Sequence, residues 1–108
     1  MLEKEIEKKL VEGVRKIGGV AFKFTSPGND GVPDREVCLP GGRIIFVELK
    51  TESGRLSGRQ KVQIERLSQL GCDVRVLHGL GEVEKFLEEV KKHVDNYNRL
   101  AASMMGRK

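Results

Sequence analysis

Glu48 and Lys50 stand two residues apart at the end of the apolar run Ile44-Ile45-Phe46-Val47, and Asp34 precedes them in a Gly- and Pro-rich stretch. Side chains of an extended strand alternate in direction, so Glu48 and Lys50 face one way and Leu49 the other. A carboxylate and an ammonium at the end of so apolar a strand are costly to bury without partners. If Asp34 reaches the same side from a neighbouring strand, three charged groups converge. Paired carboxylates suit a hard divalent cation, Mg2+ or Mn2+, which keeps several waters and accepts a phosphate oxygen. Such a cation polarises a phosphoryl group and activates water, while a lysine beside it orients that water or offsets the developing charge. That is the chemistry of phosphodiester hydrolysis. Spacing alone favours the simpler alternative, a salt bridge between Lys50 and either acid at the sheet edge.

The elements that must position these residues are legible in the pattern. Leu2, Ile6, Leu10, Val14 and Ile17 recur at helical spacing until Gly18-Gly19. Residues 20–25 alternate as a strand, and 26–34 carry the Gly, Pro and Asn of an irregular loop. Residues 36–39 and 43–50 form a hairpin across Pro40-Gly41-Gly42, the second strand apolar enough to be buried on both faces. A polar loop leads to a helix over 59–70, then a strand over 73–78 and a helix near 82–95. The order α-β-β-β-α-β-α predicts one α/β domain, a mixed sheet flanked by helices, over 1–95. Residues 96–108 are expected as a flexible tail or a dimer contact.

The bulk composition limits the alternatives. One domain accounts for 108 residues, and 38% hydrophobic against 33% charged residues reads as globular. A net charge of +4 is compatible with a polyanionic partner without requiring one. Cys38 and Cys72 lack metal-ligand spacing and read as reduced core thiols. No apolar run approaches the ~18 residues of a membrane span. The N-terminal MLEKEIEKKL is a charged amphipathic helix rather than a signal peptide, which points to a cytoplasm. Trp is absent and Tyr occurs once, leaving little for stacking on single-stranded bases.

Val32-Pro33-Asp34 followed by Val47-Glu48-Leu49-Lys50 reads as PD…ExK, and the chain resembles the PD-(D/E)xK nuclease superfamily with its restriction-endonuclease-like αβββαβ core. More narrowly it resembles the virus-type replication-repair nuclease (VRR-NUC) domain of the stand-alone phage type. The residues that narrow it are S-P-G-N-D-G-V-P-D-R (26–35), L-P-G-G-R (39–43), F-V-E-L-K (46–50) and R-L-S-G-R-Q (55–60). The resemblance runs from about residue 3 to residue 78. It implies Asp34, Glu48 and the backbone carbonyl of Leu49 as ligands of Mg2+ or Mn2+, and Lys50 as the water-activating group. It also implies a glutamate of the first helix near the metal. Glu7 fits best because Leu10 and Val11 follow it at +3 and +4; Glu3, one turn earlier, is the alternative, and either is otherwise a solvated acid. Glu36 departs from the apolar residue expected there.

Gln60 occupies the place of a further catalytic residue in the family, but Ser57-Gly58-Arg59-Gln60 is also a capping box, so both roles stay open. Ser26 is a phosphate donor or a turn former. Arg35, Arg43, Arg55, Arg59 and Lys61 surround the motif as candidate DNA-phosphate contacts, of which about half are expected to touch DNA. The resemblance points to an endonuclease in a phage host's cytoplasm acting on branched DNA, in particular four-way (Holliday) junctions. Two symmetric cuts then call for a homodimer. The competing readings are a monomeric nicking or flap nuclease and a catalytically silent DNA-binding module; the latter needs none of Asp34, Glu48 and Lys50.

Overall fold

The computed structural model describes residues 2–106. Its elements are α1 (Glu3–Lys16), β1 (Val20–Lys23), β2 (Arg35–Leu39), β3 (Arg43–Lys50), α2 (Gly58–Gln69), β4 (Asp73–His78) and α3 (Gly79–Met105). This is the order expected from hydrophobic periodicity. α1 forms because Ile6, Leu10 and Val14, one turn apart, are all fully buried, while Glu3 and Glu5 open the helix and Arg15 and Lys16 close it in favour of its dipole.

The sheet runs β1-β2-β3-β4, with two antiparallel pairs and a parallel β3–β4 pair. The parallel pair requires a crossover, and α2 supplies it. Alternation along the strands sends Ala21, Val37, Leu39, Ile45, Val47, Leu49 and Leu77 into one core with Ile6, Leu10 and Val14 of α1 and Val83, Phe86, Val90 and Val94 of α3. The opposite face carries Phe46, Glu48 and Lys50. α2 covers it without contributing a fully buried side chain.

Four expectations need correcting. β1 stops at Lys23, two residues early, because the chain turns toward the Ser26-Pro27 loop; Phe24 still donates its N–H to the Asp34 carbonyl at 2.9 Å and packs on Phe46 with ring centroids 5.2 Å apart. β3 is buried on both faces only over Val47, Glu48 and Leu49, since no helix covers Ile44, which is 49% exposed. Cys38 and Cys72 are free thiols, yet both are half-buried rather than in the core. The expected tail at 96–108 is helical through Met105, because no Gly or Pro interrupts residues 82–105 and Leu, Ala and Met favour helix. Arg107 and Lys108 lie outside the described residues. None of the described helices is long and apolar enough to cross a membrane.

Candidate active site

β3 ends with Leu49 turned into the core and Glu48 turned toward α2, where only 1% of Glu48 is exposed. Burying a carboxylate this deeply demands partners. Oε2 accepts a hydrogen bond from Gln60 Nε2 at 3.2 Å and lies 3.7 Å from Lys50 Nζ. Oε1 is buried with no hydrogen-bond partner. Asp34 reaches over from the loop before β2, and its Oδ2 accepts the backbone N–H of Leu49 at 3.0 Å. That bond pins the Asp34 carboxyl to the strand between Glu48 and Lys50.

The electrostatics follow from this packing. The Glu48 carboxyl is pushed up to about 7, first by burial and next by the negative charge and hydrogen bonding of Asp34, while Lys50 pulls it the other way. Glu3 at the start of α1 adds a smaller push in the same direction as Asp34. Two mutually repelling acids, one with an orphaned oxygen, are poorly neutralised by a single lysine. An oxygen-only donor set of this kind fits a hard divalent cation that retains water ligands. Among the described residues no third carboxylate, His or Cys joins them, so waters and backbone would complete the shell.

Gln60 closes the cap of α2 and also touches Glu48. Its amide oxygen accepts from the Ser57 N–H at 2.9 Å and its own N–H donates to Ser57 Oγ at 3.2 Å, closing the capping box. The amide nitrogen is thereby left free to donate to Glu48. The loop before β2 is buttressed against the same helix end. Arg59 pairs with Asp30, Gln63 Nε2 donates to the Asp30 carbonyl at 3.3 Å, and a Cβ on Gly31 would stand 2.6 Å from the Arg59 backbone. In the sequence Gly31 is one glycine of an irregular loop; its place three residues before Asp34, after Asn29-Asp30, is the signal of a tight approach.

Other expected site residues are engaged elsewhere. Glu7 pairs with Arg35, whose Nη1 also donates to the Ala21 carbonyl at 3.1 Å. Glu7 thus braces α1 against β2, and the charge of Glu3 adds to the push on Glu48. Arg35, an expected DNA contact, is only 13% exposed in this pairing. Arg43 is held by Asp73 at 3.1 Å and Glu89 at 3.9 Å, in a network shared with Arg75. Ser26 Oγ accepts from Asn29 Nδ2 at 2.9 Å within the turn. Arg55 and Lys61 are exposed and make no ion pair among the described residues, and Arg59, though paired, is 76% exposed.

Comparison with known proteins gives the family. The model of the VRR-NUC domain family matches residues 4–80. A protein of Acyrthosiphon pisum secondary endosymbiont phage 1, named "Putative nuclease p44", is 55% identical over 75 residues, covering 69% of this chain and 81% of its own. A solved structure described as a VRR_NUC domain superposes with a TM-score of 0.76 at 33% identity, over 80% of this chain and 94% of that one. A second, described as a VRR_NUC domain protein, has a TM-score of 0.63 at 19% identity, over 82% and 87%, and speaks to the fold alone. The chain belongs to the VRR-NUC domain family, a family of nucleases.

Proposed function

We propose that the chain is a Mg2+- or Mn2+-dependent endodeoxyribonuclease that acts on branched DNA, in particular four-way junctions, as a homodimer. The observation that carries the metal-dependent reading is the orphaned Oε1 of buried Glu48 beside Asp34. Asp34 and Glu48 would hold the cation, with the Leu49 carbonyl as a further donor from the same strand. When bound, the cation supplies Lewis-acid polarisation of the scissile phosphate and lowers the pKa of water. The chain's own groups do the positioning. Asp34, tied to the Leu49 N–H, keeps its carboxyl aimed at Glu48. Gln60 holds one Glu48 oxygen, which leaves the other turned to the site. Lys50, 3.7 Å from that first oxygen, places a positive charge where negative charge develops on the phosphate.

Two symmetric cuts require two such centres, and each chain carries one. Val83, Phe86, Val90 and Val94 are consumed by the chain's own core and offer a partner nothing. What remains for a second copy is the far end of α3, with Tyr97, Leu100, Met104 and Met105 exposed, and the open sheet face bearing Val20, Phe22 and Ile44. The test is to incubate the protein with labelled four-way junctions, flaps, duplex and single strands in Mg2+, Mn2+ or EDTA, with light scattering alongside. Paired cuts in junctions by a particle of twice 12.1 kDa are expected. Metal-independent cleavage, or paired cuts by a monomer, would overturn the corresponding part of the proposal.

A further inference from the structure

The cations of this chain divide sharply into paired and unpaired. Arg35, Arg43, Arg59 and Arg75 are all held by acids. On α1, by contrast, Lys4, Lys8 and Arg15 make no ion pair among the described residues and are exposed. Their spacing of four and then seven residues puts them on one side of the helix. They line a shallow cavity of about 460 Å3 together with Arg35, Glu7 and Glu12. Of those two acids, Glu7 is neutralised by Arg35, so the groove keeps an excess of positive charge.

Two of the residues that line the groove are chain neighbours of groups that bear on the candidate active site. Lys4 follows Glu3, whose charge is felt at Glu48, and Arg35 follows Asp34. From Lys4 to Arg15 the helix advances roughly 16 Å at about 1.5 Å per residue. That matches the axial rise of about five phosphates along one strand of a duplex, at 3.4 Å each.

We propose that the outer face of α1 is a phosphate track, in which Lys4, Lys8 and Arg15 hold the sugar–phosphate backbone of the duplex arm leading away from the scissile bond. It rests on the nuclease reading above. Contacts of this type fix the register of the DNA on the protein and contribute affinity without sequence preference. Neither acid of the groove opposes this decisively: Glu7 is paired, and Glu12 stands against three cations.

The test measures binding of a fluorescent four-way junction by anisotropy in EDTA across a salt series. It compares wild type with a Lys4→Gln/Lys8→Gln/Arg15→Gln variant and with a Lys85→Gln/Lys91→Gln/Lys92→Gln variant on α3. Both variants lose the same formal charge from exposed helix positions, and circular dichroism checks that each folds. Losing three phosphate contacts should flatten the slope of log affinity against log salt by roughly 2–3 units. The α3 variant should keep the wild-type slope. Equal slopes in the two variants, with wild type binding and cleaving normally, would overturn the track and leave the nuclease reading intact. A wild-type protein that neither binds nor cleaves the junction would overturn both.

Discussion

Gly31 offers a clean perturbation of the way the loop before β2 sets the active site, because Gly28 in the same loop provides its control. Both glycines have positive φ, 90° and 82°. An alanine at either pays the left-handed backbone penalty, about 1–2 kcal/mol. Only at position 31 does the new Cβ meet fixed atoms: the Arg59 carbonyl carbon at 2.6 Å, its oxygen at 2.7 Å and the Gln60 nitrogen at 2.8 Å, whereas at 28 nothing lies within 4 Å. Those are backbone atoms of the first turn of α2 and cannot rotate away, so the loop must lift off the helix at a further cost of about 1–3 kcal/mol. At about 4–8 °C per kcal/mol for a domain of this size, Gly28→Ala should lower the melting temperature by roughly 4–16 °C and Gly31→Ala by roughly 8–40 °C. Lifting the loop also draws Asp34, three residues on, away from the Leu49 N–H that holds it at the site. At a temperature where both variants are folded, Gly31→Ala should therefore cleave DNA more slowly than Gly28→Ala. Thermal denaturation and single-turnover cleavage measure the two effects. Equal melting shifts in the two variants would refute the claim that Gly31 is a point of close contact rather than merely a turn residue.

Asp34→Ala and Glu48→Ala should each abolish cleavage and weaken Mn2+ binding while leaving DNA binding largely intact; unchanged Mn2+ affinity by calorimetry in both would remove them as ligands. Lys50→Ala should lower the chemical rate by about 10²–10³-fold with metal binding retained, the loss expected for one electrostatic donor; near-wild-type single-turnover rates would reduce Lys50 to a salt-bridge partner. Burial opposes the charge on Asp73, but hydrogen bonds from Arg75 and Arg43 outweigh it and hold its carboxyl below the usual range, and the Arg75 hydrogen bond does the same for Glu89. Depressed folded-state values mean that these acids stabilise the protein above the ordinary carboxylate pKa, about 4, and lose that contribution as pH falls toward and through the folded values. Urea denaturation should accordingly show a shallower acid-induced loss of stability in Asp73→Asn than in wild type, and identical profiles would contradict it.

Local regularities made much of this molecule legible before any coordinates. The period of Ile6, Leu10 and Val14 defined α1, the alternation around Ile45, Val47 and Leu49 defined β3, and the strand geometry placed Glu48 and Lys50 on one face with Leu49 on the other. The Ser57–Gln60 capping box is likewise a four-residue property, since both of its bonds close within one turn. What is local in the chain is dictated by short-range sterics and hydrogen bonding, and these can be read from residue types alone.

Partnership across the fold is of a different kind. Whether an arginine faces a phosphate or is held by an acid depends on which residue the packing brings beside it: Glu7 lies 28 positions from Arg35, and Asp73 lies 30 from Arg43. No spacing rule encodes such meetings: Arg35 and Arg43, near the motif in sequence, are engaged by acids, while Lys4, Lys8 and Arg15 of α1 make no ion pair among the described residues. The different surroundings of Glu3 and Glu7, one acting on Glu48 through its charge and the other paired with Arg35, likewise follow from where α1 crosses the sheet. The second bond of Gln60, from the amide nitrogen that the capping box leaves free, exists only because the crossover lays the start of α2 over the end of β3. Residue types thus determined which chemistry was available, and the packing of the helices on the sheet determined which charges remained free to perform it.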